Sequence, residues 1–211
     1  PLYTAMLSTK EYGTVDFITT LVQLFIPVVS IMIDQGVFRY LLSCKTENDC
    51  KKNISTAFII LLISNLITSV LFAIISLFYF NKYSIWVLLI LIVTSFSNFF
   101  LQISRGLKRT SDYAFGSFVC SSTTILLNVL FIVALKMGAV GMIASIFLGN
   151  LLCNIFLYFK LKMYKYINIR DFNAEIARNQ LKYSMPLIPN QLSLWIMNSS
   201  DRLIVSWFLG M

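Results

Sequence analysis

The chain has 211 residues, of which 58% are hydrophobic and only 12% are charged, and its formal net charge is +8. Water-soluble domains are closer to half apolar and a quarter charged, so this composition excludes an ordinary soluble domain and favours an all-α polytopic membrane protein. The chain contains no histidine, which removes the most common general base and metal ligand. We therefore expect no metal, no cofactor and no enzymatic activity.

Six apolar runs of about 20 residues predict six membrane-spanning helices. They cover residues 15–42, 54–80, 84–104, 113–135, 139–159 and 184–209. The fifth and sixth runs are separated by residues 160–182, which mix basic residues with Tyr164, Ile169 and Phe172. This pattern is typical of an amphipathic segment that lies on the inner leaflet.

Basic residues are distributed unequally between the two sides of the predicted helices. Thirteen of the 17 Lys and Arg residues lie at or after the ends of the first, third and fifth helices: Arg39, Lys45, Lys51, Lys52, Arg105, Lys108, Arg109, Lys160, Lys162, Lys165, Arg170, Arg178 and Lys182. The opposite side carries only Lys10, Lys82 and Lys136. The positive-inside rule then places the first group in the cytoplasm. The net charge is explained by topology, and we expect no nucleic-acid partner.

Polar side chains follow one face of the last predicted helix. Gln191, Trp195, Asn198 and Arg202 lie at positions i, i+4, i+7 and i+11, which share a helix face. Asn190 and Asp201 flank this stripe, and two prolines precede it. Charged residues at membrane depth face protein or water. Asp201 and Arg202 are adjacent and point about 100° apart, so they do not pair with each other. The stripe predicts a helix that lines a polar cavity.

Two further helices repeat this pattern. The third carries Ser95, Asn98, Gln102, Arg105 and Arg109 at helical spacing, and the first carries Gln23, Asp34, Gln35 and Arg39 towards its cytoplasmic end. We take Asn98, Gln102, Arg39 and Asp34 as cavity candidates together with the six residues of the last helix. The structural alternatives are that Asn98 bonds across helices, that Asp34 pairs with Arg39, and that Arg105 and Arg109 reach to lipid phosphates.

Two stretches carry a resemblance to a known family. The stretch EYGTVDFITTLVQLFIPVVSIMIDQGVFRYLL, residues 11–42, resembles the second helix of bacterial O-antigen and capsule repeat-unit flippases. The stretch YSMPLIPNQLSLWIMNSSDRLIVSWFLG, residues 183–210, resembles their seventh helix. These flippases belong to the multidrug/oligosaccharidyl-lipid/polysaccharide exporter superfamily.

The resemblance implies a fold of 12–14 helices in two lobes around a central cavity. Residues 1–159 would form part of the first lobe, residues 160–182 a cytoplasmic linker, and residues 183–211 the first helix of the second lobe. We expect a fragment that lacks the first helix and most of the second lobe.

The implied function is translocation, by alternating access, of undecaprenyl-diphosphate-linked oligosaccharides across the bacterial cytoplasmic membrane. The implied partners are this lipid-linked glycan, membrane lipid, and a polysaccharide polymerase with its chain-length regulator.

Other functions stay open. The runner-up is a drug or cation antiporter of the same superfamily, and the chain as it stands could also be inactive. A membrane enzyme would need a catalytic His/Asp set or a large extracytoplasmic loop, and the sequence has neither. Energy coupling through a proton or sodium ion at Asp34 or Asp201 is a hypothesis that rests on their depth alone.

Overall fold

The computed structural model describes residues 7–77 and 83–197, and these residues form helices joined by short turns. The elements in chain order are α1 (Thr9–Val29), α2 (Ile33–Leu42), α3 (Glu47–Ser76), α4 (Ser84–Gly106), α5 (Thr110–Asn128, continued by a π-helical turn Val129–Ala134), α6 (Gly138–Lys160), α7 (Ala174–Ser184) and α8 (187–197). Five of them are long and apolar enough to cross a membrane: α1, α3, α4, α5 with its π-helical turn, and α6. The prediction of an all-α polytopic membrane protein is confirmed. Of the sixth predicted span, residues 198–209 lie outside the described part of the chain.

Helix starts follow from local side chains. Ser8 caps α1, since its hydroxyl accepts from the Glu11 N–H at 3.3 Å while the Glu11 carboxylate accepts from the Ser8 N–H at 3.0 Å. Thr46 caps α3 through the Asp49 N–H at 3.2 Å. Such caps satisfy N–H groups that have no partner within the helix.

The span predicted over 15–42 as one helix is wrong, because the chain leaves the helix at Ser30. Ile31 and Met32 adopt left-handed backbone angles, with φ of 51° and 50°, a conformation that costs a non-glycine residue about 1–3 kcal/mol. Pro27 lies one turn earlier and has no N–H to continue the helical hydrogen bonds. The interruption frees the Val29 carbonyl, which accepts from the Ser64 hydroxyl of α3 at 2.6 Å.

Helix α4 lies at the centre of the bundle. Its Ile90 and Leu91 pack with Val15 and Ile18 of α1 and Ile143 of α6 in one cluster of buried residues. In the other cluster, its buried side chains pack against residues of α2, α3 and α6: Phe99, Ile103, Ile33, Val37, Leu61 and Leu157. Apolar burial gives little net driving force inside a bilayer, so close packing and hydrogen bonds hold such helices together.

Buried amides supply those hydrogen bonds. The Asn154 amide of α6 donates to the Val93 carbonyl at 2.9 Å and accepts from the Ser97 hydroxyl at 2.9 Å. On the other side of α4, the Ser95 hydroxyl donates to the Asn65 carbonyl oxygen of α3 at 3.0 Å. These side chains fasten α3 and α6 to α4 and are therefore structural.

The segment predicted as an amphipathic linker is bound to α2 and α3. It contains two 3-10 turns, Met163–Lys165 and Ile169–Asp171, before α7 begins. Helix α7 crosses α2 at Gly36, where an added Cβ would collide with the Ser184 hydroxyl and lie 3.3 Å from the Gln180 carbonyl. The domain boundaries predicted at residues 159 and 182 stay predictions.

All four cysteines are free thiols. Burial, followed by the neighbouring Cys50 thiol, raises the pKa of Cys44 to about 12. Cys44 and Cys50 lie close enough for their thiols to interact, and the structure has this pair unbonded.

We expect Gly36→Ala to lower the free energy of unfolding by about 1–3 kcal/mol, because the new methyl group overpacks the contact between α2 and α7. Thermal unfolding of the chain in detergent micelles would measure this change. Gly13→Ala is the matched control, since no atom lies within 4 Å of a Cβ at that position. The double variant Gly36→Ala/Ser184→Ala should recover most of the loss, because it removes the colliding hydroxyl. Equal stability of the two glycine variants would contradict this packing.

Candidate functional site

A polar cavity of about 420 Å³ lies between α1, α2, α4 and α8, beside the start of α5. Its lining residues are Gln23, Ile26, Pro27, Ser30, Met32, Asp34, Gln35, Asn98, Leu101, Gln102, Tyr113, Gln191, Leu194 and Trp195. Ligand pockets in proteins run from about 300 to 1,000 Å³. The cavity is therefore large enough to hold part of a ligand.

The interruption between α1 and α2 forms one wall of this cavity. Pro27 and Ser30 line it from the end of α1, and Asp34 and Gln35 line it from the first turn of α2. Irregular backbone at membrane depth is tolerated where it lies against protein or a water-filled cavity. The break thus places side chains of α1 and α2 against the same space.

Asp34 is the one carboxylate among the described lining residues. Its side chain is only 6% exposed and accepts from the Gln35 amide at 2.9 Å. It belongs to the first turn of α2, where the helix dipole favours a negative charge. The fold therefore presents a buried Asp34 carboxyl group to the cavity, and no ion pair joins it to a cation within the described residues. The predicted alternative of an Asp34–Arg39 pair is wrong, since no ion pair joins them in the described structure.

An arginine lies at the edge of the cavity. The Arg105 guanidinium donates to the Gln102 carbonyl oxygen at 3.2 Å and lies 4.9 Å from the ring centre of Phe38 and 5.4 Å from that of Tyr113. Aromatic faces attract a guanidinium without neutralising it. Neither of the two ion pairs in the described ranges, Lys51–Glu47 and Arg109–Asp112, involves Arg105. Its charge is therefore available to an anion at this edge.

Five of the ten predicted site residues line the cavity: Asp34, Asn98, Gln102, Gln191 and Trp195. Arg39 does not; its guanidinium lies 4.9 Å from the ring centre of Tyr183, beside a separate surface pocket. Asn190 is exposed and is not among the lining residues. Asn198, Asp201 and Arg202 lie outside the described residues. A substrate-binding role stays a prediction for all ten.

Sequence reasoning did not select four residues that the structure places at the cavity or its edge: Gln23, Gln35, Tyr113 and Arg105. The signals were present in three cases, since Gln35 directly follows Asp34 at the polar end of its helix. Arg105 follows Gln102 by three positions on the same polar stripe, and Gln23 is a lone amide in an apolar helix. Tyr113 gave no signal, because it belongs to a different helix and only packing brings it to Arg105.

Two lining features offer hydrogen bonds to a ligand. The indole N–H of Trp195 is buried and has no partner within the described part of the chain, and Gln191 on the same helix is exposed. Within residues 7–77 and 83–197, no three His, Cys, Asp or Glu side chains meet in an arrangement that could hold a metal ion. The site thus offers amides, an indole, one carboxylate and a nearby guanidinium.

The family model of polysaccharide biosynthesis proteins matches the whole chain, residues 1–211. The chain belongs to this family. This match confirms the resemblance found in the two end stretches. The protein is a multi-pass membrane protein with at least five helices suited to span the bilayer. Comparisons with curated proteins and with solved structures gave no match.

We expect Asn98→Cys to react with a water-soluble thiol reagent, because its side chain lines a polar cavity. Leu126→Cys is the control, since Leu126 is 70% exposed on the apolar outer face of α5. Thiolates are the reactive species and need water to form, so the rate at Asn98 should exceed that at Leu126 by about tenfold or more. Both variants would be made in a background without the four native cysteines and measured in vesicles. Equal rates would contradict a water-filled cavity.

Proposed function

We propose that this protein moves undecaprenyl-diphosphate-linked oligosaccharides across the bacterial cytoplasmic membrane for O-antigen or capsule synthesis. The observation that carries the proposal is a cavity walled by amides and aromatic rings, in a chain of the polysaccharide biosynthesis family. The guanidinium at the edge of this cavity forms no ion pair within the described residues. Each part of that ligand has a matching chemical group on the protein. The task is transport, so no covalent bond is made or broken.

The sugar portion suits the lining amides. Gln23, Asn98 and Gln191 each carry both a donor and an acceptor, and such groups match sugar hydroxyls. Trp195 and Tyr113 add aromatic surface for the apolar faces of sugar rings, and the Trp195 indole N–H lacks a partner in the described structure. A buried donor without a partner costs about 1–3 kcal/mol, which a sugar oxygen would recover.

The diphosphate suits the Arg105 edge of the cavity. Guanidinium groups present a fork of donors that matches phosphate oxygens. Phe38 and Tyr113 hold the guanidinium in place, and within the described residues it forms no ion pair. Arg202 would add a second cation from the last helix. The polyprenyl tail would remain in the bilayer beside the protein, where apolar side chains of α3 and α5 are exposed.

Alternating access supplies the direction of movement in this proposal. Helix α8 contributes one wall of the cavity and would belong to the second lobe, so a shift of that lobe against α1, α2 and α4 would open the cavity to one side at a time. The polymerase and its chain-length regulator would then use the glycan on the outer face.

A drug or cation antiporter is the second candidate. The observation that favours it is Asp34, a buried carboxylate in the cavity without a paired cation in the described structure. A carboxylate at that position would attract a cationic substrate or a coupling ion, whereas it would repel a diphosphate. The two functions therefore predict opposite effects for Asp34 and Arg105.

We expect Arg105→Gln to lower the rate of lipid-linked oligosaccharide translocation by about tenfold, which corresponds to the loss of one charge-assisted hydrogen bond to phosphate. The assay follows transfer between leaflets of proteoliposomes that hold a protein containing this chain, with efflux of a cationic dye measured in parallel. Arg178→Gln is the matched control, because Arg178 is exposed on α7 and carries the same charge.

The outcomes of this assay distinguish the two functions. Glycan translocation that is lost with Arg105→Gln and kept with Arg178→Gln supports the flippase. Dye efflux that is lost with Asp34→Asn, without glycan translocation in the parent, supports the antiporter. Absence of both activities in the parent contradicts both proposals.

A further inference from the structure

The segment between α6 and α7 presents charged and apolar side chains outward from a fixed backbone. Lys162, Lys165 and Arg170 are exposed, and so are Ile169, with 80% of its surface, and Phe172, with 44%. The same segment buries Leu161 and Met163 completely. Its fold therefore separates two sets of apolar side chains, one packed inside the bundle and one directed away from it.

Hydrogen bonds to α3 fix the backbone of this segment. The Ser55 hydroxyl donates to the Tyr166 carbonyl at 2.5 Å and accepts from the Asn168 N–H at 3.1 Å. The Thr56 hydroxyl accepts from the Asn173 N–H at 3.1 Å. The outward side chains are thus held at a defined position relative to α3.

Two independent features locate this position at a membrane boundary. The segment follows directly after Lys160, the last residue of the membrane-spanning helix α6. It is bonded to Ser55 and Thr56, which lie directly before the continuous apolar run of α3, residues 57–63. The end of α6 and the start of the apolar part of α3 therefore lie at the same depth in the bilayer. The segment lies at this depth, between headgroups and acyl chains.

The charge of the segment is strongly positive. It carries Lys160, Lys162, Lys165 and Arg170 against one carboxylate, that of Asp171. Neither ion pair of the described structure involves any of these residues. Exposed Ile169 and Phe172 beside these cations match a lipid surface, where apolar side chains enter the acyl boundary and cations meet phosphates.

We propose that residues 160–173 form a binding surface for anionic phospholipids of the inner leaflet. The cations bind the phosphate groups while Ile169 and Phe172 insert beneath them. This surface is separate from the cavity, because no residue of the segment lines it. It fixes the level of the bundle, and of the start of α7, in the bilayer.

The first test compares lipid selectivity in mixed bilayers of phosphatidylglycerol and phosphatidylcholine. Spin-labelled lipids report the preference of the reconstituted chain for the anionic lipid. The triple variant Lys162→Gln/Lys165→Gln/Arg170→Gln should lose that preference by about threefold or more, since each interfacial cation contributes a several-fold effect. The matched control is Lys45→Gln/Lys108→Gln/Arg178→Gln, which removes the same charge from three exposed positions in other segments.

The second test measures insertion depth and needs no loss of charge. Ile169→Trp should give tryptophan fluorescence that brominated phosphatidylglycerol quenches beyond the parent signal, whereas Lys45→Trp should not. Unchanged selectivity in the first triple variant, or equal loss in both triple variants, overturns the proposal. Absence of added quenching at position 169 also overturns it.

Discussion

The interruption of the first span between Ser30 and Met32 is the feature on which the cavity depends. Inside a bilayer no water can satisfy freed backbone groups, so a broken helix persists only where protein supplies the missing partners. Here the Ser64 hydroxyl donates to the Val29 carbonyl, and the Ser30 hydroxyl accepts from the Met32 N–H at 3.2 Å. The break separates α1 from α2 and allows Asp34 to lie in a helical first turn that faces the cavity.

Polar residues of the bundle divide into two groups according to what satisfies them. Asn65 and Asn154 form hydrogen bonds with hydroxyls or carbonyls of α4, and these bonds hold the helices together. Asn98 and Gln102, on the same central helix, line the cavity instead. Helix α4 therefore performs two tasks on different faces: it holds the bundle together and supplies amides for a ligand.

The turn after α6 connects this bundle to α8, the helix that closes the cavity. It is fixed to α3 by Ser55 and Thr56, and α7, which follows it, contacts α2 closely at Gly36. A movement of α8 relative to the bundle would therefore have to occur after α7, near Met185 and Pro186, where the helical pattern is interrupted. The same fixed segment carries the basic and apolar side chains at the membrane boundary, so anchoring in the lipid and support of the cavity wall share one piece of chain.

From the sequence alone follow the class of protein, the positions of the second to fifth predicted spans and the polar faces that carry the cavity residues. These properties follow from hydropathy and helical periodicity, which are local, and five of the ten predicted residues do line one cavity. The tertiary structure decided the rest. The first span is interrupted at a proline and two left-handed residues, where the Ser64 hydroxyl of another helix meets the freed Val29 carbonyl. The tertiary structure also places Arg39 against the Tyr183 ring, away from the cavity, and Arg105 at the cavity edge beside Tyr113. Such contacts join residues far apart in the chain, and periodicity within one helix holds no information about them.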